Sequence, residues 1–240
     1  GDIYTFGMTD GADTDPTGLE ATALRWLIEG DVFVDGEIDG DAVPEVHVIG
    51  KVTIAGEGIN FSGSGDNLLH GIGNTVTLDS TGGDLELDNV DVDELVMVID
   101  GADSIILRGD ISVKDDLAFP AAVTLVEDVK ITTTDENVDF DGAVDSAAND
   151  GLEVQAGTGN VTFDQKVGGT DELGFLTVSA GDIEHGDDIT TAADGHIHLR
   201  ALDEYTMGGV ITAGEHHHIT LISEGPGDRK SGVQGKSVDL

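Results

Sequence analysis

Two consecutive stretches between residues 137 and 183 repeat one pattern, and this repeat limits the possible folds more than any other feature of the chain. Four residues recur 23 positions later, as the pairs Asn137/Asn160, Val138/Val161, Phe140/Phe163 and Val144/Val167. Three more recur 24 positions later, as Leu152/Leu176, Val154/Val178 and Ala156/Ala180. A unit this short cannot bury its own apolar side, so it must stack on its neighbours. The repeat therefore predicts a solenoid.

The apolar residues from Asp31 onward alternate with polar ones, which predicts β-strands. Examples of the alternating pairs are Val32/Val34, Val46/Val48, Val52/Ile54, Val76/Leu78 and Leu85/Leu87. Gly-containing turns such as GSGD and STGGD separate these short runs, and this texture favours parallel coils over long hairpins. The run Leu95–Ile99 has no alternation, so we interpret it as a strand packed on both faces.

A Phe-x-x-x-Val spacing occurs three times, at Phe119, Phe140 and Phe163. The steps between these phenylalanines are 21 and 23 residues, close to the repeat length. We therefore predict that the three rings form a column inside the coils. Replacing Phe140 by Asp would bury an unpaired charge and unfold the coil locally.

The N-terminal segment carries a helix signal. Thr17 and Glu20 have the spacing of a capping box, apolar residues follow at helical spacing, and Gly30 supplies a stop. We therefore predict one short helix over residues 18–29, placed to cap the first coil. The predicted fold is all-β, a parallel β-helix (β-solenoid) with coils of about 21–24 residues and one short N-terminal helix.

Three segments follow from this interpretation. Residues 1–30 form a polar N-terminal segment with the helix, residues 31–227 form the β-helix repeats, and residues 228–240 form a non-homologous tail. The tail has neither the alternation nor the acidity of the repeats, and it resembles translated sequencing-adapter DNA. We interpret it as artefactual.

The charge balance excludes some partners and favours others. The chain has 49 Asp and Glu against 10 Lys and Arg, which gives a net charge of -39. This charge repels nucleic acid, and no apolar run approaches the roughly 20 residues that span a bilayer, so we expect no nucleic-acid partner and no membrane insertion within this segment. The same charge attracts cations, and we expect Ca²⁺ to bind diffusely to the acidic turns.

Five of the eight histidines lie between residues 196 and 218. Alternation puts His196 and His198 on the face opposite Ile197, and it puts His216 and His218 outward in the same way. Because neighbouring coils lie ~4.8 Å apart, imidazoles from two coils can share one ion. The sequence therefore predicts a Zn²⁺ or Ni²⁺ site at His196, His198, His216 and His218, with an exposed polar ladder as the alternative.

The phrases DVKITTTDENVDFDGAV, GNVTFDQKVGGTDELGFLTVSAGDI and GDDITTAADGHIHL resemble the degenerate repeats of large bacterial exoproteins of the filamentous-haemagglutinin and adhesin type. The resemblance implies a right-handed parallel β-helix in an extracellular or cell-surface protein. It also implies glycans or proteins of a host or neighbouring cell, and flanking repeats of the same chain, as partners. No binding residue of that family maps onto a position of this sequence.

These observations predict a repeat scaffold, or stalk segment, of a secreted or cell-surface adhesin-like protein, rather than an enzyme. Paired carboxylates are too numerous to single out a catalytic pair. Residues 1–227 hold only seven basic residues, too few and too scattered to bind polyuronates. A glycan-processing β-helix enzyme fragment and a calcium-stiffened structural spacer remain the alternatives.

Overall fold

The computed structural model describes residues 2–6, 19–20, 25–33, 37–39, 45–62, 68–100, 103–214 and 218–225. Every regular element in these ranges is a β-strand, and parallel strands stack coil upon coil. The predicted all-β solenoid is therefore confirmed. No helix in these ranges is long and apolar enough to cross a membrane. The chain divides into two compact units, Gly1–Lys114 and Asp115–Leu240.

The first unit has thirteen strands in its described residues. These are β1 (Asp2–Phe6), β2 (Leu19–Glu20), β3 (Arg25–Glu29), β4 (Val32–Phe33), β5 (Glu37–Asp39), β6 (Glu45–Ile49), β7 (Val52–Gly56), β8 (Gly58–Phe61), β9 (Leu68–Ser80), β10 (Leu85–Leu87), β11 (Asn89–Ile99), β12 (Ser104–Leu107) and β13 (Ile111–Ser112).

Two faces of the first unit are sheets in which the strands pair in parallel, except for the antiparallel pair of β1 and β3. One sheet has the order β2-β5-β8-β10-β12, and its buried Ile38, Ile59, Leu85 and Ile105 lie opposite one another in successive strands. The other has the order β1-β3-β6-β9-β11-β13. Parallel pairing joins strands of successive coils. A buried residue of one strand therefore lies opposite a buried residue that is about one repeat length further along the chain.

The predicted helix over residues 18–29 is wrong. Leu19–Glu20 and Arg25–Glu29 are strands, and residues 21–24 lie outside the described ranges. Trp26 and Ile28 are both buried while Leu27 between them is only half-buried, which is the period of a strand. Tertiary pairing overrides the local helix signal, because β3 pairs in parallel with β6. The other edge of β3 pairs antiparallel with β1. A strand, rather than the predicted helix, therefore covers this edge.

The interpretation of Leu95–Ile99 as a strand packed on both faces is also wrong. Leu95 and Met97 are buried, whereas Val96 and Val98 are 37% and 42% exposed. The run belongs to β11, which has one inward and one outward face like the other strands. Apolar residues on the outward face hid the alternation from the sequence.

The second unit has fourteen strands in its described residues. These are β14 (Leu117–Phe119), β15 (Ala122–Leu125), β16 (Val129–Thr132), β17 (Val138–Phe140), β18 (Val144–Ser146), β19 (Leu152–Gln155), β20 (Val161–Phe163), β21 (Leu176–Ala180), β22 (Ile183–His185), β23 (Ile189–Thr190), β24 (Ile197–Ala201), β25 (Tyr205–Met207), β26 (Ile211–Thr212) and β27 (Ile219–Ser223).

Each coil of the second unit contributes short strands to three faces. The first face has the order β14-β17-β20-β22-β25, and another has the order β16-β19-β21-β24-β27. The face between them contains the pairs β15–β18 and β23–β26, and single bridges at Val167 link the coils of Val144 and Ile189. Three bends per coil explain why the strands are only two to five residues long.

The predicted phenylalanine column is confirmed inside the second unit. Phe119, Phe140 and Phe163 are at most 1% exposed and lie opposite one another on β14, β17 and β20. Their ring centroids are 4.7 and 4.8 Å apart, with interplanar angles of 6° and 9°. His185, also buried, takes the next position of the column on β22.

A row of polar side chains, which we call the turn ladder, runs along the turns before β14, β17, β20 and β22. Asp116, Asn137, Asn160 and Asp182 each use Oδ1 to accept the backbone N–H of the corresponding turn one coil later. The N···O distances are 2.9, 2.8, 3.2 and 2.8 Å, and the last N–H belongs to Glu204. The ladder therefore satisfies backbone donors at bends where no strand pairing can do so.

Candidate metal centre

The structure places His196, His198 and His218 on the outside of the second unit. Ile197 and Leu199 are buried on β24, whereas His196 is exposed and His198 is half-buried. Ile197 lies opposite Ile219 on β27, and its N–H donates to the carbonyl of His218 at 3.2 Å. His218 is exposed. Because Ile197 lies opposite Ile219, the preceding residues His196 and His218 occupy equivalent positions on successive coils.

The ring of His196 packs against an aromatic neighbour. Its centroid lies 5.4 Å from that of Phe175, and the two rings are nearly parallel at 6°. Phe175 in turn covers Gly151, where any Cβ would lie 2.0 Å from the phenyl ring. Glycine at this position is what allows the aromatic ring to lie there.

His198 lies in a different row from His196, between Thr177 and Thr220 of the neighbouring coils. Within the described ranges, neither His196, His198 nor His218 belongs to a group of three close metal-ligand atoms. His216 lies outside these ranges. The metal site at His196, His198, His216 and His218 therefore stays a prediction.

A group that our sequence interpretation missed lies in the first unit and consists of Glu45, His47 and His70. Val46 and Val48 are buried on β6, so Glu45 and His47 project from its other face. On β9 the buried Leu69 leaves His70 on that same outer face. Parallel pairing places His47 directly opposite His70.

The three side chains converge at their ligand atoms. Nε2 of His70 lies 2.5 Å from Oε1 of Glu45 and 3.2 Å from Nδ1 of His47. The two imidazole centroids are 4.4 Å apart and the rings are almost perpendicular, at 85°. All three residues are half-buried, with 23% of the His70 side chain and 27% of the Glu45 side chain exposed. This set can hold a divalent cation, or it can act as a hydrogen-bonded histidine–carboxylate pair.

The sequence does contain a signal for this group. His47 and His70 are 23 residues apart, one coil length, and each follows a buried aliphatic residue. The repeat is visible by eye only in the second unit. In the first unit the spacing between paired residues ranges from 19 to 26 positions, as in Leu19/Ile38 and Ile59/Leu85, and this variation hides the alignment of the two histidines.

A second group, Asp115, Asp116 and Glu136, consists of exposed carboxylates in the second unit. Oδ1 of Asp116 accepts the N–H of Asn137, and Oδ1 of Asp115 accepts the N–H of Asp116. The carboxylates of Asp116 and Asp115 therefore serve the turn ladder and its adjoining turn. Acidic side chains on a chain of this charge gather in this way without an ion.

Five basic residues pair with acidic residues of neighbouring coils, namely Arg108, Lys114, Lys130, Lys166 and Arg200. Lys130 lies 3.0 Å from Glu153, directly opposite it on the next coil, and Arg200 lies 3.0 Å from Glu224. Arg108 donates to Glu86 at 3.3 Å and to Ser62 at 3.2 Å. A cleft for acidic polysaccharide needs several cations facing one open surface, and these pairs do not supply one.

Two grooves on the described surface are also acidic. One, in the first unit, is lined by Glu57, Asn60, Asp84 and Glu86. The other, in the second unit, is lined by Asp182, Glu184 and Glu204 together with Thr162 and Thr206. Both favour cations over anionic ligands.

No known protein family, curated protein or solved structure matches the chain.

Proposed function

We propose that this chain is a scaffold segment, a stalk, of a larger secreted or cell-surface protein. The observation that supports it most strongly is the filled interior of the coils. The column of Phe119, Phe140 and Phe163 occupies one part of the second unit, and buried aliphatic columns such as Leu152, Leu176 and Ile197 occupy another. Such an interior gives stiffness, because each coil is fixed by side-chain packing on the coils before and after it.

The outer surface fits a spacer as well. Each added coil of about 22 residues lengthens a stack by ~4.8 Å, since coils pair as parallel strands. The net charge of -39 keeps such molecules apart in solution. These two properties suit a segment that holds another domain away from an anchoring point.

The resemblance to filamentous-haemagglutinin-like exoproteins supports an adhesin-like role and an extracellular or cell-surface location. In this proposal glycans or proteins of other cells bind elsewhere in the parent protein, and the flanking repeats of the same chain are the immediate neighbours. The acidic grooves lined by Glu86 and by Glu184 bind cations, Ca²⁺ included, weakly and diffusely.

A calcium-stiffened spacer is a second candidate, favoured by the acidity of the turns. In the turn ladder one oxygen of Asp116 and of Asp182 accepts a backbone N–H, and each carboxylate has a second oxygen to offer a cation. If Ca²⁺ occupied defined sites there, chelation would lower the melting temperature steeply. A diffuse atmosphere predicts a gradual change that NaCl reproduces.

The glycan-processing alternative is separated from the scaffold by an activity test. The purified chain is incubated with a panel of neutral and acidic glycans, and new reducing ends and unsaturated products are measured. A scaffold gives neither. Turnover of any glycan that disappears when one groove carboxylate, such as Glu86 or Glu184, is changed to glutamine would overturn the proposal.

A further inference from the structure

We propose that Glu45, His47 and His70 form a Zn²⁺-binding site that joins two consecutive coils of the first unit. Glu45 and His47 come from β6, and His70 comes from the paired strand β9. This proposal goes beyond the scaffold role and does not depend on it.

The distances are close to those that tetrahedral zinc requires. With Zn–N and Zn–O bonds of about 2.0–2.1 Å, two ligand atoms of a tetrahedral site lie roughly 3.3 Å apart. Nδ1 of His47 and Nε2 of His70 are 3.2 Å apart, which is already the separation that an ion between them would set. Oε1 of Glu45, at 2.5 Å from Nε2 of His70, needs to withdraw by less than about 1 Å to complete the triangle.

The proton arrangement also favours a cation. Nε2 of His70 faces both the carboxylate of Glu45 and Nδ1 of His47. A neutral imidazole nitrogen carries either one proton or one lone pair, so it cannot form a linear hydrogen bond with both partners. A divalent ion interacts with the lone pairs of all three atoms at once, and neutral imidazole together with ionised carboxylate is the form that binds metal.

The chemical nature of the donors selects the metal class. Two imidazole nitrogens and one carboxylate oxygen suit Zn²⁺ and related divalent transition ions, whereas Ca²⁺ takes six to eight oxygens. The chain has no cysteine, so thiolate ligation is excluded throughout it. A water molecule can fill the fourth position. Asp91 lies opposite His70 on β11, so another carboxylate follows in the same row on the next coil.

An ion here would have a structural consequence. The pairing between β6 and β9 is short and runs from Glu45↔Leu68 to His47↔His70. Further along β9, from Val76 onward, the paired strand is β7. A metal bound to both strands would fix this short contact in place. Because the ion binds only the folded arrangement, it would raise the melting temperature of the first unit.

The test is a competition titration of the full chain against a chromophoric zinc chelator. Millimolar Mg²⁺ is present throughout to occupy carboxylate-only sites. We expect one Zn²⁺ to bind at this site, counted as the difference between the parent chain and His70→Gln, and Co²⁺ in its place should give the intense visible absorption bands of a four-coordinate ion. Changing a group that only orients a metal ligand weakens binding ~10–100-fold, so His70→Gln and His47→Gln, which remove ligands, should weaken Zn²⁺ binding by at least about 100-fold.

Two further variants make the result specific. Glu45→Gln keeps the shape of the side chain but removes its charge, and it should weaken Zn²⁺ binding while leaving the circular dichroism spectrum unchanged. Glu153→Gln makes the same change at an equally half-buried carboxylate on a strand of the second unit and should bind Zn²⁺ like the parent chain. Zn²⁺ affinity that is unchanged in His70→Gln, or no Zn²⁺ binding by the parent chain in the presence of Mg²⁺, would overturn the proposal.

Discussion

Truncating the central ring of the phenylalanine column should cost the second unit a large part of its stability. Phe140 is 1% exposed, and it lies between Phe119 at 4.7 Å and Phe163 at 4.8 Å. Replacing a buried Phe by Ala typically costs ~3–5 kcal/mol, because transfer energy is lost and a cavity remains. We expect Phe140→Ala to fall in this range. Phe140→Leu keeps most of the apolar volume and loses two ring pairs at about 0.5–1.5 kcal/mol each, so we expect a cost of ~1–3 kcal/mol.

The measurement is urea unfolding followed by circular dichroism, with amide hydrogen exchange on β17 and β20 to locate the loss. Asp139→Ala is the matched control, since Asp139 occupies the same strand but faces outward. Its cost should stay within about 0.5 kcal/mol. If Phe140→Ala costs no more than Asp139→Ala, the column does not stabilise the coil and our reasoning is wrong.

A double-mutant cycle tests the stacking itself. Phe119→Leu and Phe140→Leu change rings in direct contact, so their effects should couple by ~0.5–1.5 kcal/mol. Phe119→Leu and Phe163→Leu change rings that are separated by Phe140, and their effects should add within about 0.5 kcal/mol. Equal coupling in both cycles would mean that the rings act through a general loosening of the unit.

The other predictions concern polar groups. In the turn ladder, Asp182→Ala should cost ~1 kcal/mol in urea unfolding because the N–H of Glu204 loses its acceptor. Asp182→Asn keeps an acceptor and should change stability by less than about 0.5 kcal/mol. Equal losses in the two variants would contradict this role. Burial raises the pKa of Tyr205, so above pH ~10, where the unfolded chain releases the phenolic proton and the folded chain retains it, stability should fall with rising pH. Tyr205→Phe should weaken this alkaline loss in a pH series of thermal melts, and an unchanged series would count against it. Its hydroxyl has no hydrogen-bond partner among the described residues, so the same variant should be as stable as the parent chain or more stable at pH 7. Finally, the melting temperature should rise between 0.01 M and 0.15 M NaCl, because the Debye length falls from ~30 to ~8 Å and screens the repulsion within a chain of net charge -39; a melting temperature that is the same at both salt concentrations would refute it.

The coils of the second unit could be predicted because similar side chains recur at the coil length in the sequence. Phe119, Phe140 and Phe163 mark three coils, and their equal size lets them stack without rearranging neighbours. The first unit was harder for a physical reason. Its coils vary in length, and near Trp26 the local helix signal competes with strand pairing that involves residues 20 positions away. A single sequence reveals local preference but not the pairing that overrides it.

The candidate sites show the same division. Outward placement of His196 and His198 follows from alternation on one strand and was correctly predicted. The convergence of Glu45, His47 and His70 depends on which residue of β9 lies opposite His47, and alternation does not fix that pairing. From the sequence, the acidic turns are expected to bind cations diffusely. The use of Asp as an acceptor for backbone N–H groups 22 residues away, as between Asp182 and Glu204, becomes visible only when the coils are aligned.

The turn ladder and the phenylalanine column each contribute one residue per coil. A whole coil can therefore be removed from the chain without breaking either row. Excising residues 141–163 would join Phe140 to Asp164, in place of the natural junctions Phe140–Asp141 and Phe163–Asp164. Phe140 would then precede His185 in the column, and Asn137 would take over the contact that Asn160 makes with Asp182. We therefore expect a gene for such a protein to tolerate the loss or gain of whole coils by recombination between its repeats, and each such change would alter the length of the stack by a discrete step of ~4.8 Å.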